Sequence, residues 1–137
     1  GLGQEINGTY IAGFVTAQRR KDMKALAEQL FADASIVTRQ MVEDLLRSKR
    51  IDGVDAALAE IAARHFDGDR QTLDLATRAS GLDVPVQVIW GADDRIIPAD
   101  QAGNLEGATV HIIDDAGHMP MMEKAAEVNG LIRSFIA

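Results

Sequence analysis

The chain of 137 residues contains no cysteine. Disulfides, thiolate nucleophiles and cysteine-ligated zinc are therefore excluded. No apolar run approaches the roughly 20 residues needed to cross a bilayer. No signal or transit peptide is legible, so the expected location is cytoplasmic and no membrane partner is expected. Basic residues are outnumbered, with 14 Lys and Arg against 21 Asp and Glu and a net charge of −7. That balance leaves no electrostatic footprint for nucleic acid and favours a solvated surface. There is no internal repeat and no low-complexity segment. What remains is an ordinary globular composition, 47% hydrophobic and 26% charged, sufficient for one core. The first residue is Gly1 rather than Met, so the expectation is a processed start or a piece of a longer protein.

Two hydrophobic periods divide the chain. Residues 1–82 read as helices only. Met23, Leu26, Ala27, Leu30 and Phe31 share one helix face by their i, i+3, i+4, i+7, i+8 spacing, and Val37, Met41, Val42, Leu45 and Leu46 repeat it. Asp33 or Ser35 is placed to cap the second of these helices. Asp52 is placed to cap a third, striped by Val54, Ala57, Leu58, Ile61, Ala62 and His65. Tyr10, Phe14 and Ala17 predict a helix over 9–18. After the break at Asp67-Gly68-Asp69, a short helix over 71–79 stops at Gly81. In residues 83–137 the period changes. Val84 to Trp90 reads as a strand buried on both faces of a parallel sheet. Pro98 opens a short helix over 99–104, Thr109 to Ile113 is a second strand, and residues 121–136 form a closing helix with Ala125, Val128, Leu131, Ile132 and Phe135 inward. Strand, helix, strand, helix implies a parallel crossover and an α/β fold.

Two loops carry chemistry. Trp90-Gly91-Ala92-Asp93-Asp94-Arg95-Ile96-Ile97-Pro98 leaves the C-terminal end of the first strand. Asp115-Ala116-Gly117-His118-Met119-Pro120 leaves the same end of the second. Sites in open α/β sheets are built at that edge. An Asp and a His brought there can form an acid–imidazole pair, with the carboxylate fixing the tautomer and the imidazole acting as general base and then acid. Asp94 and His118 are the candidates, with Asp93 the rival acid. His65 on a helix stripe and His111 on a strand read as structural. Asp114, Asp115, His111 and His118 are poorly spaced for a metal site, so none is expected. Met119, Met121 and Met122 read as core filler.

These loops resemble those of the α/β-hydrolase superfamily: W-G-x-x-D-x-x-x-P after one strand, G-H after the next, a glutamate five residues on, and a closing helix ending Phe-Ile. Trp90, Gly91, Asp94, Pro98, Gly117, His118, Glu123, Phe135 and Ile136 fall in register. The resemblance implies an incomplete α/β-hydrolase fold, with a helical cap over 1–82 and a C-terminal core segment over 83–137. It also implies Asp94 as triad acid and His118 as triad base. The stretches Val37 to Leu46, Lys49 to Val54 and Pro85 to Pro98 resemble the acetyltransferase component of bacterial acetoin dehydrogenase complexes. That likeness implies acetyl transfer between dihydrolipoyl groups and coenzyme A in an intact parent, the lipoyl group and coenzyme A belonging to that parent. It also implies other components of a dehydrogenase complex as partners.

The nucleophile elbow G-x-S-x-G has no counterpart, since Ser35, Ser48, Ser80 and Ser134 all lack that context. The chain is therefore expected to be a fragment, inactive alone, whose serine lies elsewhere. The alternatives are a fragment of an esterase or carbon–carbon bond hydrolase, or an inactive assembly module. Self-association is expected, as a homodimer or higher even oligomer, because the Val84 to Trp90 edge lacks a neighbour and Leu30, Phe31, Leu45 and Leu46 need a covering surface.

Overall fold

A computed structural model describes residues 1–137. Four helices come first: α1 (Gly8–Thr16), α2 (Arg20–Ala27), α3 (Arg39–Lys49) and α4 (Val54–His65). The apolar faces of α1 to α3 meet in one cluster of Ala17, Met23, Leu26, Ala27, Phe31, Val37, Val42 and Leu46. Met23, Phe31 and Val42 are almost wholly buried, and each such side chain contributes about 1.5–3 kcal/mol by leaving water. Lys49 staples these helices together. Its ammonium donates to the Phe14 carbonyl at 2.6 Å and the Val15 carbonyl at 2.8 Å, satisfying the last turn of α1. Asp55 on α4 lies 3.4 Å from the same nitrogen.

This packing corrects several expectations. Leu46 and Phe31 are buried inside the helical cluster, and Leu30 and Leu45 pack against it. They do not need an outside partner. The cap of α3 is Thr38, whose hydroxyl accepts from the Met41 amide at 3.1 Å, because Thr38 directly precedes the helix. Asp33 instead caps a separate 3-10 turn, Ala34–Ile36. Gly53, at φ +85°, occupies the N-cap of α4 rather than Asp52. Glycine suits this left-handed backbone and brings no side chain to cap the helix. No residue of α4 is fully buried. Nor is the region helical throughout. Phe66–Asp67 (β1) and Arg70–Gln71 (β2) form an antiparallel hairpin around Gly68, and α5 (Leu75–Ser80) starts late, capped by Asp74.

The second part holds the parallel pair β3 (Gln87–Gly91) and β4 (Thr109–Ile113), in register from Gln87 opposite Thr109 to Gly91 opposite Ile113. They are joined through a 3-10 segment, Ala99–Asn104, after Pro98. Val88 packs on Ala102 and Leu105 beneath the sheet. No residue of β3 is exposed on either face, although the strand begins at Gln87 and Val84 lies outside it, exposed. On β4, Val110 and Ile112 are exposed on the face they share with Val88 and Trp90. The closing helix breaks at Lys124 into α6 (Pro120–Glu123) and α7 (Ala125–Ile136). Of its expected inward residues only Val128 is buried, while Ile132 and Phe135 are exposed.

Residues 4–7 close the first part on itself and join it to the second. The Ile6 amide donates to the Asp69 carbonyl at 3.0 Å, the Gln71 amide to the Gln4 carbonyl at 2.7 Å, and the Asn7 amide to the Ile96 carbonyl at 2.8 Å. No helix is long and apolar enough to cross a membrane.

Candidate active site

Both candidate loops leave the C-terminal ends of β3 and β4 and are cross-linked by their backbones. The Ala92 amide donates to Ile113 and the Asp93 amide to Ala116, each at 2.9 Å. Asp94 then turns inward. One carboxylate oxygen, Oδ1, accepts the amides of Ile96 at 2.8 Å and Ile97 at 3.0 Å. The other, Oδ2, lies 2.9 Å from Nδ1 of His118. Its side chain is 2% exposed, whereas Asp93 is exposed. The adjacent Trp90 indole donates to the Ile97 carbonyl at 3.3 Å and steadies the same turn.

Burial pushes the Asp94 carboxyl upward, but the hydrogen bond from His118 and the amides of Ile97 and Ile96 outweigh it and hold the group below the usual carboxylate range. An ionised Asp94 can only accept, so Nδ1 of His118 carries the proton. In the neutral ring that places the lone pair on Nε2, the atom that can take a proton from a nucleophile.

The His118 loop is shaped by close backbone contact. Asp115 adopts a left-handed φ of +50°, a conformation Asp tolerates better than most residues. Ala116 is completely buried. Gly91 and Gly117 allow the two loops and the segment after α2 to meet without side chains between them. The chain after α2 passes so near that a Cβ on Gly117 would lie 2.8 Å from the Ala32 nitrogen and from the Leu30 oxygen.

Glu123 is the residue whose role sequence reasoning missed. Its Oε2 accepts the Gly117 amide at 2.6 Å. Its Oε1 accepts the amides of Ala32 at 2.8 Å and Asp33 at 3.2 Å. A cleft beside the pair, of about 170 Å³, is lined by Ile89, Trp90, Ile97, Pro120 and Met121 and has no ionisable side chain other than Asp94 and His118. His65, at the end of α4, and His111, on β4, belong to other parts of the fold.

A family model described as "Alpha/beta hydrolase family" matches residues 5–131. The chain belongs to this family. Within it, the chain is 45% identical over 137 residues to the dihydrolipoyllysine-residue acetyltransferase component of the acetoin cleaving system of Cupriavidus necator. It is 47% identical over 136 residues to the same component from Pseudomonas putida. Both matches cover 99% of this chain but only 37% and 36% of the relatives' lengths. Among solved structures, a meta-cleavage product hydrolase superposes with a TM-score of 0.78 at 18% identity, covering 98% of this chain and 52% of the other. That likeness bears on fold alone, and it agrees with an α/β-hydrolase fold of which this chain forms part.

Proposed function

We propose that this chain supplies the acid and base of a Ser-His-Asp triad in an acyl-transferring enzyme, an acetyltransferase component of an acetoin cleaving system. The observation that carries the proposal is the 2.9 Å contact between His118 Nδ1 and the buried Asp94, joined to the 45–47% identity with those components. The serine belongs to another segment of the parent, since none of Ser35, Ser48, Ser80 and Ser134 is hydrogen-bonded to His118.

In this reading His118 Nε2 takes the proton from the serine hydroxyl as its oxygen attacks a thioester carbonyl. The imidazolium then passes that proton to the departing thiolate, leaving an acyl-serine. In the second half the imidazole deprotonates the incoming thiol, which takes the acyl group, and the proton returns to the serine. Asp94 stays ionised throughout and stabilises the imidazolium. An acetylated dihydrolipoyl group and coenzyme A are the substrates. The uncharged lining beside His118 suits the thioester of the donor and the thiol of the acceptor.

Other components of the acetoin system are the proposed partners. Self-association through the strand-free edge of β3 is a further part of this reading, supported by the two-stranded sheet and by the exposed Val110 and Ile112 on the neighbouring β4. A second reading, hydrolysis of a carbon–carbon bond, is favoured by 26% identity over 122 residues to a 2-hydroxy-6-oxononadienedioate/2-hydroxy-6-oxononatrienedioate hydrolase of Burkholderia vietnamiensis. The deciding experiment supplies the full-length parent with acetyl-dihydrolipoamide and coenzyme A. Formation of acetyl-coenzyme A that is lost on His118→Ala supports transfer. Release of free acetate with no dependence on coenzyme A overturns it.

A further inference from the structure

Three backbone amides from two distant segments converge on one carboxylate. Glu123 Oε2 holds Gly117, the residue before His118, while Oε1 holds Ala32 and Asp33 in the segment leaving the helical cluster. Both oxygens act only as acceptors, and each is committed to a different segment. Met119, on the far side of His118, packs against the helical core. Gly117 itself touches the backbone of residues 30–32. The base is therefore flanked on both sides by contacts to the cap, and Glu123 is the polar one.

We propose that Glu123 is a positioning residue that locks the His118 loop to the cap, so that the ring meets Asp94 only when the segment 30–33 is in place. This rests on the triad reading above, because it concerns the orientation of the same imidazole. A glutamine cannot substitute. Its single oxygen satisfies one segment, and its NH2 then faces an amide N–H of the other. An aspartate keeps both acceptors but is one methylene too short to reach both segments. The requirement is thus for a carboxylate of this length, not for charge alone.

The test uses nitrogen-15 spectra of the imidazole together with amide hydrogen exchange, on the 137-residue chain and its Glu123→Gln, Glu123→Asp, Glu127→Gln and Asp94→Asn variants. Expected for Glu123→Gln and Glu123→Asp is exchange at least about tenfold faster at Gly117, Ala32 and Asp33 than in the parent chain, the scale for losing a charged acceptor. The His118 ring should also move from the Nδ1–H form toward a mixture of tautomers, while the β3–β4 amides keep their protection. Glu127→Gln, one turn on and exposed, should change neither reading. Should Asp94→Asn shift the tautomer but neither Glu123 variant do so, the positioning role is overturned and the triad pair survives. A tautomer insensitive even to Asp94→Asn overturns both. Collapse of the whole fold in both Glu123 variants also overturns the proposal, since the glutamate is then a general support.

Discussion

A methyl group on Gly91 would lie 2.0 Å from the carbonyl oxygen of Gly117. The acid loop and the base loop are in backbone contact at this crossing, which brings Asp94 and His118 to one place. Gly91→Ala should therefore force the loops apart, costing about 1–3 kcal/mol and lowering the melting temperature by roughly 5–10 °C. Circular dichroism melts measure this. An unchanged melting temperature would show that the crossing relaxes freely.

Asp94→Asn in the full-length parent should cut kcat by up to about 10⁴, because the amide no longer selects the productive tautomer of His118. Asp93→Asn should cost far less, since the Asp93 carboxylate faces solvent and only its backbone amide joins the loop. Steady-state acetyl transfer separates the two. A larger loss with Asp93→Asn would mean that the acid is misassigned.

Alone, the 137-residue chain should not turn over esters. A base without its nucleophile forms no acyl-enzyme. Nitrophenyl acetate against a buffer control is the assay, and saturable turnover abolished by His118→Ala is the result that would refute the expectation.

Stability should fall in acid. Asp94 has a folded pKa below its ordinary value, so the unfolded chain binds its proton more readily. The stabilisation is complete above the unfolded carboxyl pKa of about 3.9 and is lost as pH falls through the lower folded value. Melting temperatures should thus hold between about pH 5 and 7 and drop below about pH 4. Asp94→Asn should be less stable at neutral pH yet show a shallower acid slope. Equal slopes in the two proteins would remove Asp94 from the account.

Light scattering coupled to chromatography at low micromolar concentration addresses self-association. A homodimer or higher even oligomer is expected from the open edge of β3 and the exposed Val110 and Ile112. A monodisperse, folded monomer is the contrary result. Val88 is unsuitable for probing that edge by charge, because it is buried on Ala102 and Leu105.

Much of the layout was legible because its signals are local. The strand over Thr109–Ile113 and the two loops after the strands were read from runs, breaks and short motifs lying within a few residues. Asp94 and His118 stood out because those loops leave the same end of parallel neighbours. Glu123 appeared in the family pattern, yet its task was not readable. Its three partners are backbone amides, which carry no residue identity, and two of them are about 90 residues away. The β1–β2 hairpin was missed because two-residue strands have no period to detect. The inward face of α7 was misjudged for the opposite reason. Its amphipathic stripe is real, but a stripe states which residues can be covered, and Ile132 and Phe135 remain exposed in this chain.

The hydrogen bonds from Ile6 to Asp69 and from Gln71 to Gln4 have an architectural consequence. They bring residues 4–6 and 69–71 side by side, so the helical segment between them begins and ends at nearly one point. A segment with adjoining ends can be exchanged as a cassette without displacing what flanks it. A transplanted cassette that kept Gln4, Ile6, Asp69 and Gln71 at its seam, and the 30–33 turn that meets Glu123, would retain the points at which this one is moored.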